Sequence, residues 1–173
     1  MSGSEPRQLP LPPGTSILAL DGSPSGDRVA LATTDRSGQV ALLILDAEGQ
    51  VLRTVETVVS PAATPEATPA TRDQAEPAAF VDWGLQGDTI LVGTAEGSLS
   101  AVPVTGEPRP IPIDLAGGRL LAAHISPRGD SIALLRHDQD EVTRLLVMPM
   151  GTAGGGQPRT IAPREGGESR TVR

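Results

Sequence analysis

Apolar and polar residues follow one another along this chain in short, regular blocks. From 120 to 161 the order is apolar run, Ser126-Pro127-Arg128-Gly129-Asp130, apolar run, polar turn, apolar run, Gly-rich turn, short apolar run. Short aliphatic runs bounded by Gly, Pro and Asp predict β-strands, and tight turns between them predict antiparallel hairpins. The block is thus a four-stranded unit, with strands a to d at 120–125, 131–136, 144–148 and 159–162. The same order places strands at 17–20, 28–33, 40–45 and 51–58, and again at 79–83, 89–94, 99–104 and 109–113. Residues 7–11 read as an isolated extra d strand.

Side-chain size predicts sheets buried on both faces. Val40, Leu42 and Ile44 point one way, and Ala41, Leu43 and Leu45 the other. A sheet with one wet face would alternate apolar with polar. Strand b sets Val29 and Leu31 against Ala30 and Ala32, as units stacked face to face require. The d strands carry Pro and Arg and are more polar, which suits an outer edge. Ser23-Pro24-Ser25-Gly26-Asp27 and Ser126-Pro127-Arg128-Gly129-Asp130 supply Pro to fix φ and Gly for positive φ.

Two markers recur. Gly-Asp precedes strand b at Gly26-Asp27, Gly87-Asp88 and Gly129-Asp130. Arg, any residue, then an aliphatic marks strand d at Arg7, Arg53, Arg109 and Arg159, three of them after a Pro. Arg7 to Asp27 is 20 positions and Arg109 to Asp130 is 21, whereas Arg53 to Asp88 is 35. The surplus is the low-complexity stretch 60–77, rich in Pro, Ala and Thr, which reads as an insert between repeats. Asp88 to Asp130 is 42 positions, a period within the range of propeller blades.

The Ser-Pro-x-Gly-Asp turn, the Val/Ile-Ala-Leu strand after it and the Pro-Arg-x-aliphatic strand d resemble the blades of TolB-like β-propellers. WD-repeat and prolyl-oligopeptidase-type propellers use related turns. The second unit departs from the pattern, with Leu85-Gln86-Gly87-Asp88 in place of Ser-Pro, and the other units have no aromatic at the place of Trp83. No Trp-Asp dipeptide ends a c strand. The resemblance implies an all-β fold: a partial or open β-propeller of three four-stranded antiparallel blades plus an extra N-terminal outer strand. The blades span about 15–59, 78–114 and 118–162, the spare strand 7–11, the insert 60–77 and a polar tail 163–173. Closed propellers have about four to eight blades. Three blades therefore imply an arc completed by the missing blades of a parent chain or by another copy.

Composition narrows the chemistry. Phe80 and Trp83 are the only Phe and Trp and there is no Tyr, so the core is aliphatic. Without Cys there is no disulfide, zinc-thiolate site or Cys nucleophile. All 14 basic residues are Arg, which removes the phosphate-binding, Schiff-base and Ser-Lys chemistries of lysine. A net charge of −7 argues against nucleic acid and anionic membranes as partners. No apolar run reaches the ~20 residues of a membrane helix. The N-terminus has no basic or apolar region of a signal peptide, which gives a cytoplasmic location by default, and a periplasmic or extracellular one if the chain is a piece of a longer protein.

The candidate catalytic groups read as structural. His124 lies near Ser126 and Asp130, but one strand cannot fold its own near neighbours into a triad. The acidic run His137-Asp138-Gln139-Asp140-Glu141 lacks the spacing and the Gly of a calcium loop and reads as a solvated hairpin tip. Gly154-Gly155-Gly156 lacks the Lys-Ser/Thr of a phosphate cradle, and Arg128-Gly129-Asp130 coincides with the repeating turn. Trp83 reads as a packing residue. No catalytic residue, metal or cofactor is expected. In a propeller the b–c and d–a loops share one rim, so Asp35, Arg36, Asp138, Asp140 and Glu141 form a candidate acidic partner-binding rim. The function expected is a non-catalytic propeller that scaffolds protein contacts. The alternative is the regulatory propeller of a larger prolyl-oligopeptidase-type hydrolase, which a Gly-x-Ser-x-Gly elbow elsewhere in the parent sequence would reveal.

Overall fold

The structure is a computed structural model that describes residue 11 and residues 14–59, 79–150 and 159–161, with backbone alone at 57–59 and 159–161. Among the described residues all regular structure is β. The first blade comprises β1 (Ser16–Gly22), β2 (Arg28–Thr34), β3 (Val40–Asp46) and β4 (Val51–Val59). The second comprises β5 (Ala79–Trp83), β6 (Thr89–Thr94), β7 (Leu99–Pro103) and β8 (Arg109–Pro110). The third comprises β9 (Arg119–Ile125), β10 (Ser131–His137), β11 (Thr143–Pro149) and β12 (Arg159–Ile161). Each blade is a separate four-stranded antiparallel sheet with its strands in chain order.

The expected strand d of the second blade, 109–113, shortens to two residues. Pro110 and Pro112 have no N–H for the ladder, although the Ile111 amide still reaches the Leu99 carbonyl at 2.8 Å. The spare strand 7–11 apart from Leu11, the insert 60–77, the Gly154–156 turn and the tail lie outside the described residues.

The a–b turns are built by side-chain chemistry. Ser23 Oγ accepts the Arg28 amide at 3.0 Å and donates to Asp27 at 2.9 Å. Ser126 repeats this with the Ser131 amide and Asp130. The second blade has Gly84 in that place. A Cβ there would lie 3.2 Å from the Thr89 carbonyl and 3.3 Å from Ile125 of the third blade. Its departure from Ser-Pro thus coincides with close packing against the next blade.

The blades stack face to face. Register assigns every side chain to a front face, toward the following blade, or a rear face. Ala30 pairs with Asp21 and Ile44, and Ala32 with Ala19 and Leu42, so these rows form the front of the first blade. They pack against Trp83, Ile90, Val92 and Val102 of the second. The front of the second blade, with Leu91, Leu99 and Phe80, packs against Leu120, Ile125, Ile132 and Leu134 of the third. Leu31, Leu43 and Leu45, on the rear of the first blade, cluster with Leu11 and Val29.

Candidate functional site

One end of the stack gathers the b–c tips and the crossover between the second and third blades. Leu115 of that crossover lies beside Gly97 in the β6–β7 tip, the Leu120 amide bonds the Ala95 carbonyl at 2.9 Å, and Gln139 in the β10–β11 tip bonds the Gly117 carbonyl at 3.2 Å. Arg36 in the β2–β3 tip lies against Gly14, just before β1. The tips and crossovers therefore share one rim, the arrangement a partner-binding surface needs.

The candidate rim residues differ in what they can offer. Asp35 organises its own turn, accepting from the Ser37 amide at 2.8 Å, the Ser37 hydroxyl at 2.6 Å and the Gln39 amide at 3.1 Å. The Ser37 hydroxyl, with the turn amides, holds its carboxyl below the ordinary value of 3.8. Asp35 and Arg36 are both exposed. Asp138 is not a presented charge: its side chain is 10% exposed and ion-paired with Arg136 and Arg144. Asp140 is exposed and shares Arg144 at 3.0 Å. Glu141 is exposed, 3.3 Å from His137, in a left-handed conformation at φ 62°. The tip that composition suggests is solvated throughout is thus pinned by one sunken carboxylate between two guanidiniums.

The seams between blades hold a pattern that motif reading missed. Asp21 Oδ2 accepts the Trp83 amide of the next blade at 2.6 Å. Asp82 Oδ2 accepts the Ile125 amide at 2.7 Å, and its Oδ1 meets His124 Nδ1 at 2.8 Å. Asp21, Asp82 and His124 each stand six residues before the turn aspartate. That spacing was visible in the sequence, but an Asp inside an aliphatic strand carries no signal of its acceptor role until the blades are stacked. At the outer edge, Arg53 donates to the carbonyls of Pro103 at 2.7 Å, Val104 at 3.0 Å and Gly106 in the second blade. The recurring Arg of strand d is, in the first blade, a clamp between blades.

His124 therefore serves Asp82 of the neighbouring blade and is not brought to Ser126, whose hydroxyl is committed to Asp130. The serines around Asp27 and Asp130 hold both carboxyls below 3.8. Arg128-Gly129-Asp130 is that turn, with Gly129 at φ 71°. Trp83 is buried in the first seam, its indole Nε1 without a hydrogen-bond partner. Among the described residues no three His, Asp or Glu come together as a cation site would need, and no helix is long and apolar enough to cross a membrane.

Three four-stranded leaflets, radially stacked and linked by carboxylate-to-amide bonds, define a partial β-propeller. Solved structures agree. The chain is similar to "Structure of U3-55K", at 12% identity and TM-score 0.53 over 90% of this chain and 40% of that one. It is also similar to the Cps50 (Swd1) β-propeller domain of Myceliophteria thermophila, at 14% identity and TM-score 0.55 over 84% of this chain and 43% of that one. At such identities the likeness is one of fold, and the chain spans less than half of each. No family model matches the chain, and no curated protein matches it in sequence. The narrower TolB-like resemblance rests on the turn and strand motifs of the sequence alone.

Proposed function

We propose that the chain is a non-catalytic propeller module that scaffolds protein contacts within a larger protein or assembly. On this reading it engages its partner through the rim of b–c tips. The supporting observation is the β10–β11 tip. Asp138, sunk between Arg136 and Arg144, fixes a loop that holds Asp140 and Glu141 out to solvent, and Asp35 stands exposed on the same rim. The exposed carboxylates of Asp35, Asp140 and Glu141, on a chain of net charge −7, favour a partner segment rich in Arg or Lys. The TolB-like reading of the turns belongs to the same proposal.

The test is a comparative affinity capture with Asp35→Asn, Asp140→Asn and Glu141→Gln combined, leaving Asp138 intact. The control neutralises Glu48 and Glu107 on the opposite rim. Proteins that leave the first variant, stay with the control and dissociate in high salt support the reading. Identical capture by both variants overturns it.

A further inference from the structure

The residue whose amide an aspartate of the preceding blade holds is Trp83 in the second blade and Ile125 in the third. Both side chains fill a seam. Ile125 does so with carbon alone, whereas Trp83 brings a hydrogen-bond donor. Trp83 is only 5% exposed, and its indole Nε1 is buried without a partner. An unbonded buried donor is destabilising, and the third blade shows that filling a seam does not require one.

Trp83 also lines a groove of about 400 Å³ between the a–b turns of the first and second blades. This is the end of the stack opposite the acidic b–c tips. Pro24 lines one side, and Leu85, 61% exposed, lines the other. Leu85 stands where the other two a–b turns have Pro24 and Pro127. The gap between the second and third turns is smaller, about 140 Å³, and Gln86 crosses it to donate to the Pro127 carbonyl at 3.1 Å. Of the two gaps, the first is the wider and the one with an aromatic lining.

The groove beside Trp83 has donors to spare, while the acceptors on its first-blade wall are spent. Asp27 Oδ1 takes the hydroxyls of Ser23, at 2.9 Å, and Ser25, and its Oδ2 lies 3.6 Å from Arg28 Nε. Among the described residues the Arg28 Nη groups have no acceptor, and neither has the Trp83 indole. Asp27 and Arg28 are the only charged residues of the lining and offset each other, so the groove does not select a charged partner. The matching ligand is uncharged, apolar in its side chains, rich in acceptors and poor in donors. An ordinary β-strand brings as many N–H as C=O groups. A run of prolines has carbonyls and no N–H, and its extended helix makes no internal hydrogen bonds, which leaves those carbonyls free. Its conformation is set before binding, and grooves lined by aromatic residues hold such segments.

We propose that the groove between the first two a–b turns is a docking site for an extended proline-rich segment of a partner protein. Its rings pack on Pro24, Leu85 and Trp83, and its carbonyls accept from the Trp83 indole and from Arg28. The indole N–H is covered, so its bond forms as groove side chains turn aside, a motion open to an exposed residue such as Leu85. The site is separate from the acidic rim and does not depend on it.

The chain has a single Trp, so the indole gives one side-chain signal in a proton–nitrogen correlation spectrum. Titrating the full chain with acetyl-hexaproline amide, up to millimolar concentration, should shift that signal downfield. An uncharged Gly-Ser peptide of equal length should leave it in place. A signal that ignores the proline peptide, or answers both peptides equally, overturns the proposal. Trp83→Phe keeps a ring in the seam and removes the donor, so calorimetry should show binding about fivefold weaker. Unchanged affinity overturns the role given to the indole. Leu85→Asp alters an exposed side chain and should abolish measurable binding; binding that persists overturns the site. Circular dichroism checks the fold of both variants. If Trp83→Phe does not fold, the indole signal of the parent chain and Leu85→Asp decide. Asp35→Asn, Asp140→Asn and Glu141→Gln combined should bind the proline peptide as the parent does, so failure of this site and failure of the acidic rim are read separately. Loss of binding in that variant places the site on the other rim and overturns the proposal.

Discussion

The two seams of the stack use one latch with different fillings. In each, an Asp six residues before the turn aspartate accepts an amide of the following blade. In the first seam the preceding blade sets the small Ala30 and Ala32 beside Ile44 and Leu42, and the following blade brings Trp83 against them. In the second the preceding blade supplies bulk with Leu91 and Phe80, and the following blade answers with aliphatic residues. Phe80 pairs across the strands with Gly93, where any Cβ would strike its ring. Packing density is a property of the filled gap, so volume can move from one side of a seam to the other while the backbone spacing stays constant. The seams also differ in polar content, because Asp82 holds His124 in addition to an amide, whereas the second oxygen of Asp21 stays within its own blade.

The sharpest way to break this comparison is to empty the first seam. Trp83→Ala should cost about 3–5 kcal/mol in urea unfolding followed by circular dichroism. A loss below ~1 kcal/mol would mean that the alanines opposite do not depend on the indole. Next come the latches. Asp82→Ala should cost about 3 kcal/mol and Asp21→Ala about 2, since both strand a buried amide and only the first also releases His124. Equal losses would show that the imidazole adds nothing to the second seam. Arg53→Met keeps the aliphatic stem and removes the clamp on three carbonyls, for an expected loss of about 1 kcal/mol.

The smallest effect belongs to the a–b turns and concerns pH. Asp27 and Asp130 are held below 3.8 by serine hydroxyls, so the stability they add is present in full above that value and is lost as pH falls through their folded-state pKa values. Ser23→Ala with Ser126→Ala should lower the melting temperature slightly at pH well above 3.8. The difference from the parent should shrink once both carboxyls are protonated. A difference that persists unchanged in acid would place the stabilisation in the serine-to-amide bonds instead.

Much of the fold was legible because strand periodicity and turn chemistry are local. Strands 79–83 and 89–94 match β5 and β6 residue for residue, and the other described strands differ by one to three residues at their ends except β8. β8 fell short because three alternate prolines, Pro108, Pro110 and Pro112, remove ladder donors from what hydropathy alone reads as a strand. The rim was legible as a list of residues and not as a charge distribution. Asp138 and Asp140 look alike in sequence, yet two arginines take the first out of solvent and leave the second exposed. His124 drew attention for its neighbours in sequence, and its actual partner, Asp82, is 42 residues away.

By itself the sequence determined the number of blades described, the strand order within each and which side chains lie on each face. All three follow from alternation along single strands and from turns closed by residues a few positions apart. Only the tertiary structure decided which face meets which, that Asp21 and Asp82 are acceptors for the next blade, and that His124 of the third blade meets Asp82 of the second. Those properties depend on contacts between units some 40 to 60 residues apart, and a carboxylate acquires a role there only when a backbone amide or an imidazole from another leaflet arrives within bonding distance.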